Sequence, residues 1–199
     1  MSFQLFEQDT LFLQRFLKSA GFYGAELDGI YGKKTDAALN AFEARTVEIA
    51  ETLSKFDARS ERNITSLHPM AQQAARIFLK KVRDAGFDAR IISGTRTYAE
   101  QDALYRQGRF GNPKPIVTHA KGGQSNHNFG IAWDIGIFQD GLYLGESSLY
   151  DKAAEVGLSN ELEWGGHWKK FKDRPHYQLA TGLILANVRD KFEEGQAIV

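Results

Sequence analysis

No cysteine occurs among the 199 residues, so disulfides and thiolate metal sites are excluded, and any metal must be held by His, Asp or Glu. Neither sign of charge is in excess: 25 Lys and Arg balance 25 Asp and Glu. With no global field, neither nucleic acid nor an anionic membrane surface is an expected partner. Long apolar runs are missing as well. The start of the chain, Met1-Ser2-Phe3-Gln4-Leu5-Phe6-Glu7-Gln8-Asp9, has no basic lead and no apolar core. It reads neither as a secretory signal nor as an anchor, and no membrane insertion is expected. A chain of this kind is expected to be made in the cytoplasm and, for a target outside it, to be delivered by other means. What remains is ordinary globular composition, 42% hydrophobic and 25% charged, with length for one domain or a catalytic domain plus a small module.

Taken in order, the chain opens with a predicted helix from about Thr10, with Leu13, Phe16 and Leu17 on one side and Gly21 as its stop. A tight loop, Leu27-Asp28-Gly29-Ile30-Tyr31-Gly32, follows, with Thr35 as candidate N-cap of a second helix carrying Ala38, Leu39, Phe42 and Thr46 on one stripe. Residues 47–68 are polar and weakly patterned, either a linker or an extension of that helix. Pro69 starts a third helix, whose expected buried stripe is Met70, Ala74, Ile77, Phe78, Val82 and Ala85, with Gly86 at its end. Asp88–Ser93 reads as a strand, and Thr97-Tyr98-Ala99-Glu100 as a capping box opening a helix that runs to Gly108. After a loop over 111–123, Gly130–Phe138 reads as a strand turning at Asp140-Gly141 into Leu142–Leu144. Ser148 is expected to cap a short helix ending near Gly157, a last strand lies at His176–Leu179, and the tail is helical with Leu183, Leu185, Val188 and Phe192 available for packing. Mixed strands and helices in this order predict an α+β fold with a central antiparallel sheet.

Within the stretch Gln124–Asp134, His127 and Asp134 stand seven residues apart, separated by a glycine and small or apolar residues. Imidazole and carboxylate are good zinc ligands, and a catalytic zinc commonly takes three protein ligands. The candidate third is His176, with Asp173 three residues before it. His119 and His167 are possible ligands by type alone, and His68 is most simply part of a helix start.

Two resemblances join these features. Leu13-Gln14, Leu17, Gly21, Asp28-Gly29-Ile30-Tyr31-Gly32, Thr35, Ala38 and Phe42 resemble the small helical peptidoglycan-binding module of cell-wall hydrolases, over roughly residues 5–46. The resemblance offers Asp28, Gly29, Tyr31 and Gly32 as module residues; a purely structural helical hairpin is the other reading. Further on, Ser125, His127, Gly130, Ala132 and Asp134 match Ser-x-His-x-x-Gly-x-Ala-x-Asp, Asp173 and His176 match acid-x-x-His, and Ser93-Gly94-Thr95-Arg96 matches Ser-Gly-x-Arg. Together they resemble the zinc peptidases of peptidoglycan, which include D-Ala-D-Ala carboxypeptidases and dipeptidases and the L-alanyl-D-glutamate endopeptidases of phage endolysins.

That resemblance implies one zinc per chain on His127, Asp134 and His176, with Asp173 as general base; an ordinary aspartate, titrating at about 3.9, is ionised at neutral pH. It implies Arg96 as a fork for a substrate carboxylate. Ser93 and Ser125 are candidates for orienting ligands or meeting the peptide backbone, or simply cap turns; Gln101 and Trp168 are candidate cleft residues. Aspartate at the base position, with Glu163-Trp164-Gly165-Gly166-His167-Trp168 and Pro175-His176-Tyr177-Gln178 around it, favours the endopeptidase branch and the L-Ala–D-Glu bond. The expectation is therefore a peptidoglycan hydrolase, monomeric, with a helical wall-binding module at 1–46, a linker or helix extension at 47–68 and an α+β zinc peptidase domain at 69–199. An endolysin released by a holin, or an effector injected by a secretion machine, fits it. The competing expectations are a D,D-carboxypeptidase and a non-catalytic wall-binding protein.

Overall fold

The computed structural model describes residues 7–145 and 147–199. The reading of Met1–Phe6 as free of signal or anchor lies outside the described residues. In chain order the elements are helices α1 (Glu7–Ser19), α2 (Lys33–Leu53), α3 (Ala58–Ile64) and α4 (Pro69–Asp84), strand β1 (Asp88–Ser93), helix α5 (Tyr98–Tyr105), strands β2 (Ala132–Gln139) and β3 (Leu142–Leu144), helix α6 (Leu149–Gly157), strands β4 (Leu162–Trp164) and β5 (His176–Leu179), and helix α7 (Leu185–Glu193). Short 3₁₀ turns occupy Asn126–Phe129 and Gly165–His167. The fold is α+β. Among the described residues no helix is long and apolar enough to cross a membrane. The chain forms two compact units, one of Met1–Arg45, Arg96–Phe129 and Gly182–Val199, the other of Thr46–Thr95 and Gly130–Thr181.

In the first unit, α1 and α2 are joined through a buried polar side chain. Gln14 is fully buried, and its amide nitrogen, with two N–H donors, lies within hydrogen-bond reach of Asp28 Oδ1 (2.7 Å), the Ile30 carbonyl (3.1 Å), Tyr23 Oη (3.2 Å) and Thr35 Oγ1 (3.3 Å), while its oxygen accepts from Gly29 N (2.9 Å). One glutamine thus satisfies the loop over 28–30, which would otherwise bury unpaired backbone groups. Gly29 is needed there, because it adopts φ +70° and an added Cβ would run into Glu7. Thr35 does not cap α2 as expected. The helix begins two residues earlier, and the Thr35 hydroxyl faces inward to Gln14. Apolar packing finishes this unit: Phe16 and Phe22 meet Phe42 edge-on, and Phe12, Tyr98, Phe129 and Phe192 cluster so that α1, α5, the first 3₁₀ turn and α7 share one aromatic core. In the C-terminal tail Val188 and Phe192 of α7 are buried, but Leu185 at its start and Leu183 just before it lie at the surface.

The second unit is a five-stranded sheet with β1, β2, β5 and β4 in that order and β3 also paired to β2, all antiparallel. Because β2 is long, β5 pairs its first half and β3 its second half along the same side. The β2–β3 hairpin closes at Asp140-Gly141 with φ values of +53° and +78°, the positive pair that a two-residue turn requires. Edge strand β1 is covered by α3: Ser60 Oγ accepts from Ile91 N, and Asn63 Nδ2 donates to the Ile91 carbonyl. Residues 47–68 are accounted for by α2 running on to Leu53 and by α3, which Asp57 caps through Ser60 N.

His68 caps α4 through Nδ1, and Pro69 occupies its first turn. The buried face of α4 is Ala71, Ala75, Phe78, Leu79 and Val82; Met70 and Ile77, expected inside, are 51% and 46% exposed. The reason is that Gln72 and Arg76 are carried inward with that face. Arg76 meets Glu61 in a bidentate pair, and Gln72 donates to Thr46 and to the Leu67 carbonyl. Helix α6 packs on α4 so closely that a Cβ at Gly157 would overlap the Phe78 ring. Ser148 sits at the N-cap of α6 without making the expected side-chain bond.

Candidate metal centre

Strand alternation builds the site. In the antiparallel register Asp134 faces His176, Ala132 faces Gln178, and Glu163 faces Gln178 from β4. Successive strand residues point to opposite faces, so Asp134, His176, Gln178 and Glu163 share one face of the sheet. The residues between them, Trp133, Tyr177 and Trp164, take the other. There Trp133 and Trp164 stack on either side of Tyr177, with ring centroids at 6.3 and 6.4 Å, and Phe78 of α4 packs against Tyr177 at 4.3 Å. One face is core and the opposite one is chemical, which is why aromatic and polar residues alternate in Ala-Trp-Asp, Glu-Trp and His-Tyr-Gln.

His127 comes from the 3₁₀ turn just before β2. The turn is held by Asn128, fully buried, whose amide donates to the Arg96 and Thr97 carbonyls (2.9 and 3.3 Å) and whose oxygen accepts from Gly123 N (3.0 Å). Arg96 N donates in turn to the His127 carbonyl at 3.0 Å. Gly130, at φ +70°, lets the chain leave the turn for the strand.

One ligand atom each of His127, Asp134 and His176 lies within 4.8 Å of the others. His176 Nδ1 is 3.2 Å from Asp134 Oδ1. Two ligands on a tetrahedral zinc with bonds of about 2.05 Å stand about 3.3 Å apart, so this spacing fits one edge of such a centre. Burial alone would push the His176 imidazole pKa down; its hydrogen bond to Asp134, the charge of that carboxylate, Gln178 and the charge of Asp173 outweigh it and lift the pKa. An environment that favours a positive imidazole is one that favours a cation. Both histidines are buried, at 2% and 5% exposure, and the two-nitrogen, one-carboxylate set suits zinc among the divalent metals. The residues present fit the metal.

Asp173 is held by a loop folded onto Gly165. Asp173 N donates to the Gly165 carbonyl (3.0 Å), and His176 N donates to the Asp173 carbonyl (3.2 Å). Trp164 Nε1 holds the Arg174 carbonyl at 2.8 Å, and the Arg174 guanidinium pairs with Asp151 at 3.0 Å. Gly165 admits this approach: a Cβ there would overlap the Asp173 carbonyl oxygen and stand 3.1 Å from the Asp173 Cβ.

Of the other candidates, Arg96 is half-buried and donates through a guanidinium nitrogen to Gln101 Oε1 at 3.3 Å. Gln101, 1% exposed, donates onward to the Ala120 carbonyl (3.0 Å) and Thr118 Oγ1 (3.4 Å). Ser93 lies opposite Asp134 in the β1–β2 register. Ser125 accepts from Asn128 N through its carbonyl. Trp168, 36% exposed, sets its ring 4.9 Å from the His176 imidazole. In the helical module Asp28 and Gly29 brace the loop through Gln14, whereas Tyr31 is 40% exposed. Exposed His119 pairs with Arg109, and exposed His167 packs edge-on against Trp164. Glu163, Gly165 and Gln178 fall in segments that mark the endopeptidase branch, but the sequence assigns them, like Asn128, no individual role in the site. The alternation of His-Tyr-Gln carried a signal for Gln178, but the partner across the strands appears only with the register.

A family model for D-alanyl-D-alanine carboxypeptidase matches residues 118–179, and one for a peptidoglycan binding domain matches residues 7–46. The chain is 38% identical over 128 residues to the peptidoglycan L-alanyl-D-glutamate endopeptidase CwlK of Bacillus subtilis (strain 168), an alignment covering 58% of this chain and 74% of that protein. The crystal structure of the Serratia marcescens L-Ala D-Glu endopeptidase ChiX is similar at 30% identity over 64% of this chain and 90% of that one, with a TM-score of 0.49.

Proposed function

Because the chain belongs to the peptidase family of the D-alanyl-D-alanine carboxypeptidases and L-alanyl-D-glutamate endopeptidases, we propose that it hydrolyses the L-Ala–D-Glu bond of peptidoglycan stem peptides at a zinc centre. The observation that carries this reading is the convergence of His127, Asp134 and His176, from a 3₁₀ turn and two paired strands, on one point. His127, Asp134 and His176 would hold the zinc, which would supply Lewis acidity to polarise the scissile carbonyl and acidify water. Asp173 takes the proton of the attacking water as its oxygen bonds to the L-Ala carbonyl carbon. As the C–N bond breaks, Asp173 returns that proton to the departing D-Glu amine. Arg96, steadied by Gln101, pairs with a carboxylate of the stem peptide, and Trp168 walls the cleft beside His176; Ser93 and Ser125 orient the ligands or meet the backbone of the bound peptide.

Residues 1–46 act as the wall-binding module and 69–199 as the peptidase domain, with Tyr31 the most exposed aromatic in the module loop. Tethering to an insoluble polymer raises the effective concentration of the catalytic residues at their substrate. The chain works as a monomer, either as a bacteriophage endolysin released through a holin-type opening or as an effector delivered by a secretion machine. The test is metal dependence on isolated sacculi. Chelation is expected to abolish the fall in turbidity and added zinc to restore it, while Asp173→Ala keeps its zinc and is inactive. Undiminished lysis by Asp173→Ala would contradict the reading.

A further inference from the structure

We infer that Gln178 and Glu163 form a relay that fixes the His176 imidazole as its Nε2–H tautomer and presents the Nδ1 lone pair to the metal. Gln178 is thus a positioning residue of the centre; the inference rests on the metal reading above. The two ring nitrogens of His176 have different neighbours: Nδ1 stands 3.2 Å from Asp134 Oδ1, and Nε2 stands 3.0 Å from Gln178 Oε1. A neutral imidazole carries one N–H and one lone pair, so whichever nitrogen donates leaves the other to bind metal.

A glutamine alone does not decide between them, since its amide offers an acceptor at one end and donors at the other. Glu163 decides it. Gln178 Nε2 lies 2.8 Å from Glu163 Oε2, and an ionised carboxylate only accepts. The NH₂ end of the amide must therefore face Glu163, and its oxygen must face His176. That oxygen accepts, so Nε2 carries the proton. Turning the amide over would set Oε1 against the Glu163 carboxylate and lose that bond, and its NH₂ would then face Nε2 and call for the opposite tautomer, with the proton on Nδ1. The arrangement follows from the fold: Glu163 and Gln178 are opposite each other across β4 and β5, and His176 is two residues from Gln178 on the same face. On the other flank Gln178 faces Ala132, whose methyl leaves the amide room to lie along the sheet.

Partners of this kind orient a ligating imidazole and raise its basicity, and their loss weakens metal binding about 10–100-fold. The test is zinc affinity of the full chain, read by competition with a chromophoric chelator. Gln178→Met keeps the volume and removes the acceptor; its zinc affinity is expected to fall by about 10–100-fold, with peptide turnover recovering under saturating zinc. Glu163→Gln leaves the amide direction undetermined and is expected to lose less. In the double exchange Glu163→Gln/Gln178→Glu, the carboxylate at 178 accepts from Nε2–H while the amide at 163 donates to it. Affinity is then expected to return to within about threefold of the parent. Gln178→Met binding zinc within twofold of the parent, or an exchange no tighter than Glu163→Gln, would overturn the relay. Should Gln178→Met not fold, the comparison of Glu163→Gln with the exchange decides alone. A parent protein that takes up no zinc would instead bring down the metal reading, and the relay with it.

Discussion

Replacing Gly165 by alanine probes how Asp173 is placed without touching it. The added Cβ would overlap the Asp173 carbonyl oxygen and crowd its Cβ at 3.1 Å and its carbonyl carbon at 3.2 Å. Carbon–oxygen contacts in folded proteins settle at roughly 3.3–3.6 Å, so the Asp173 backbone must retreat by on the order of 1 Å. Retreat is resisted on several sides. Asp173 N is bonded to the Gly165 carbonyl, the Asp173 carbonyl to His176 N, and the neighbouring Arg174 carbonyl to Trp164 Nε1. The strain therefore falls on the loop carrying the proposed base, while His176 stays registered in β5 opposite Asp134. A displacement of about 1 Å in a catalytic group costs roughly 100-fold in rate. Gly165→Ala is thus expected to lower kcat on a soluble stem tetrapeptide by about two orders of magnitude while retaining zinc within about threefold of the parent. Gly145→Ala is the control, since among the described residues beyond its chain neighbours its Cβ would meet Tyr143 alone, at an ordinary 3.8 Å, and kcat should be unchanged. If Gly165→Ala turned over within threefold of the parent, either the loop does not hold Asp173 through Gly165 or Asp173 is not the base.

Two further expectations concern stability and wall binding. Burial pushes the Asp57 carboxyl up, but the Ser60 hydroxyl and backbone N–H and the Arg83 guanidinium outweigh it and hold it at about 2, below the ordinary 3.8. A depressed acid stabilises the fold above its unfolded value and loses that contribution as pH falls through about 3.8 toward 2. At ~1.4 kcal/mol per unit the shift sets an upper bound of roughly 2.5 kcal/mol, which solvent exposure reduces to about 1 kcal/mol. Asp57→Ala should melt lower than the parent at pH 7, and the gap should shrink between pH 4 and pH 2; a gap constant over that range would refute the pairing. Tyr31→Ala, at the exposed tip of the module loop, is expected to weaken sacculus binding roughly fivefold and leave turnover of a soluble tetrapeptide unchanged; binding equal to the parent would take Tyr31 out of the wall contact.

The sequence made the sheet legible where elements are long or punctuated. β1 and β5 lie at Asp88–Ser93 and His176–Leu179, where strands were expected, and the β2–β3 turn follows from Asp140-Gly141. β4 escaped notice because its three residues, Leu162–Trp164, are too few for their alternation to mark a strand. On α4 the expected stripe was partly misplaced because alanines fit either face. What tipped the helix was the inward pull on Gln72 and Arg76 by partners far along the chain, Thr46 and Glu61. Motif spacing brought out the three metal-binding candidates, since a cation gives two histidines and an aspartate a common reason to converge. Gln14 and Gln178 stand within the quoted motifs, but their roles, like that of Asn128, were hidden for a shared physical reason. Each is a polar side chain whose meaning lies in partners that only the folded register brings within hydrogen-bond distance.

The most direct test of the proposed reaction is mass spectrometry of muropeptides digested by the zinc-loaded full chain. Cleavage between L-Ala and D-Glu is predicted to leave glycan carrying a lone L-Ala and to release peptides that begin with D-Glu. Release of free D-Ala, with the L-Ala–D-Glu bond intact, would contradict it.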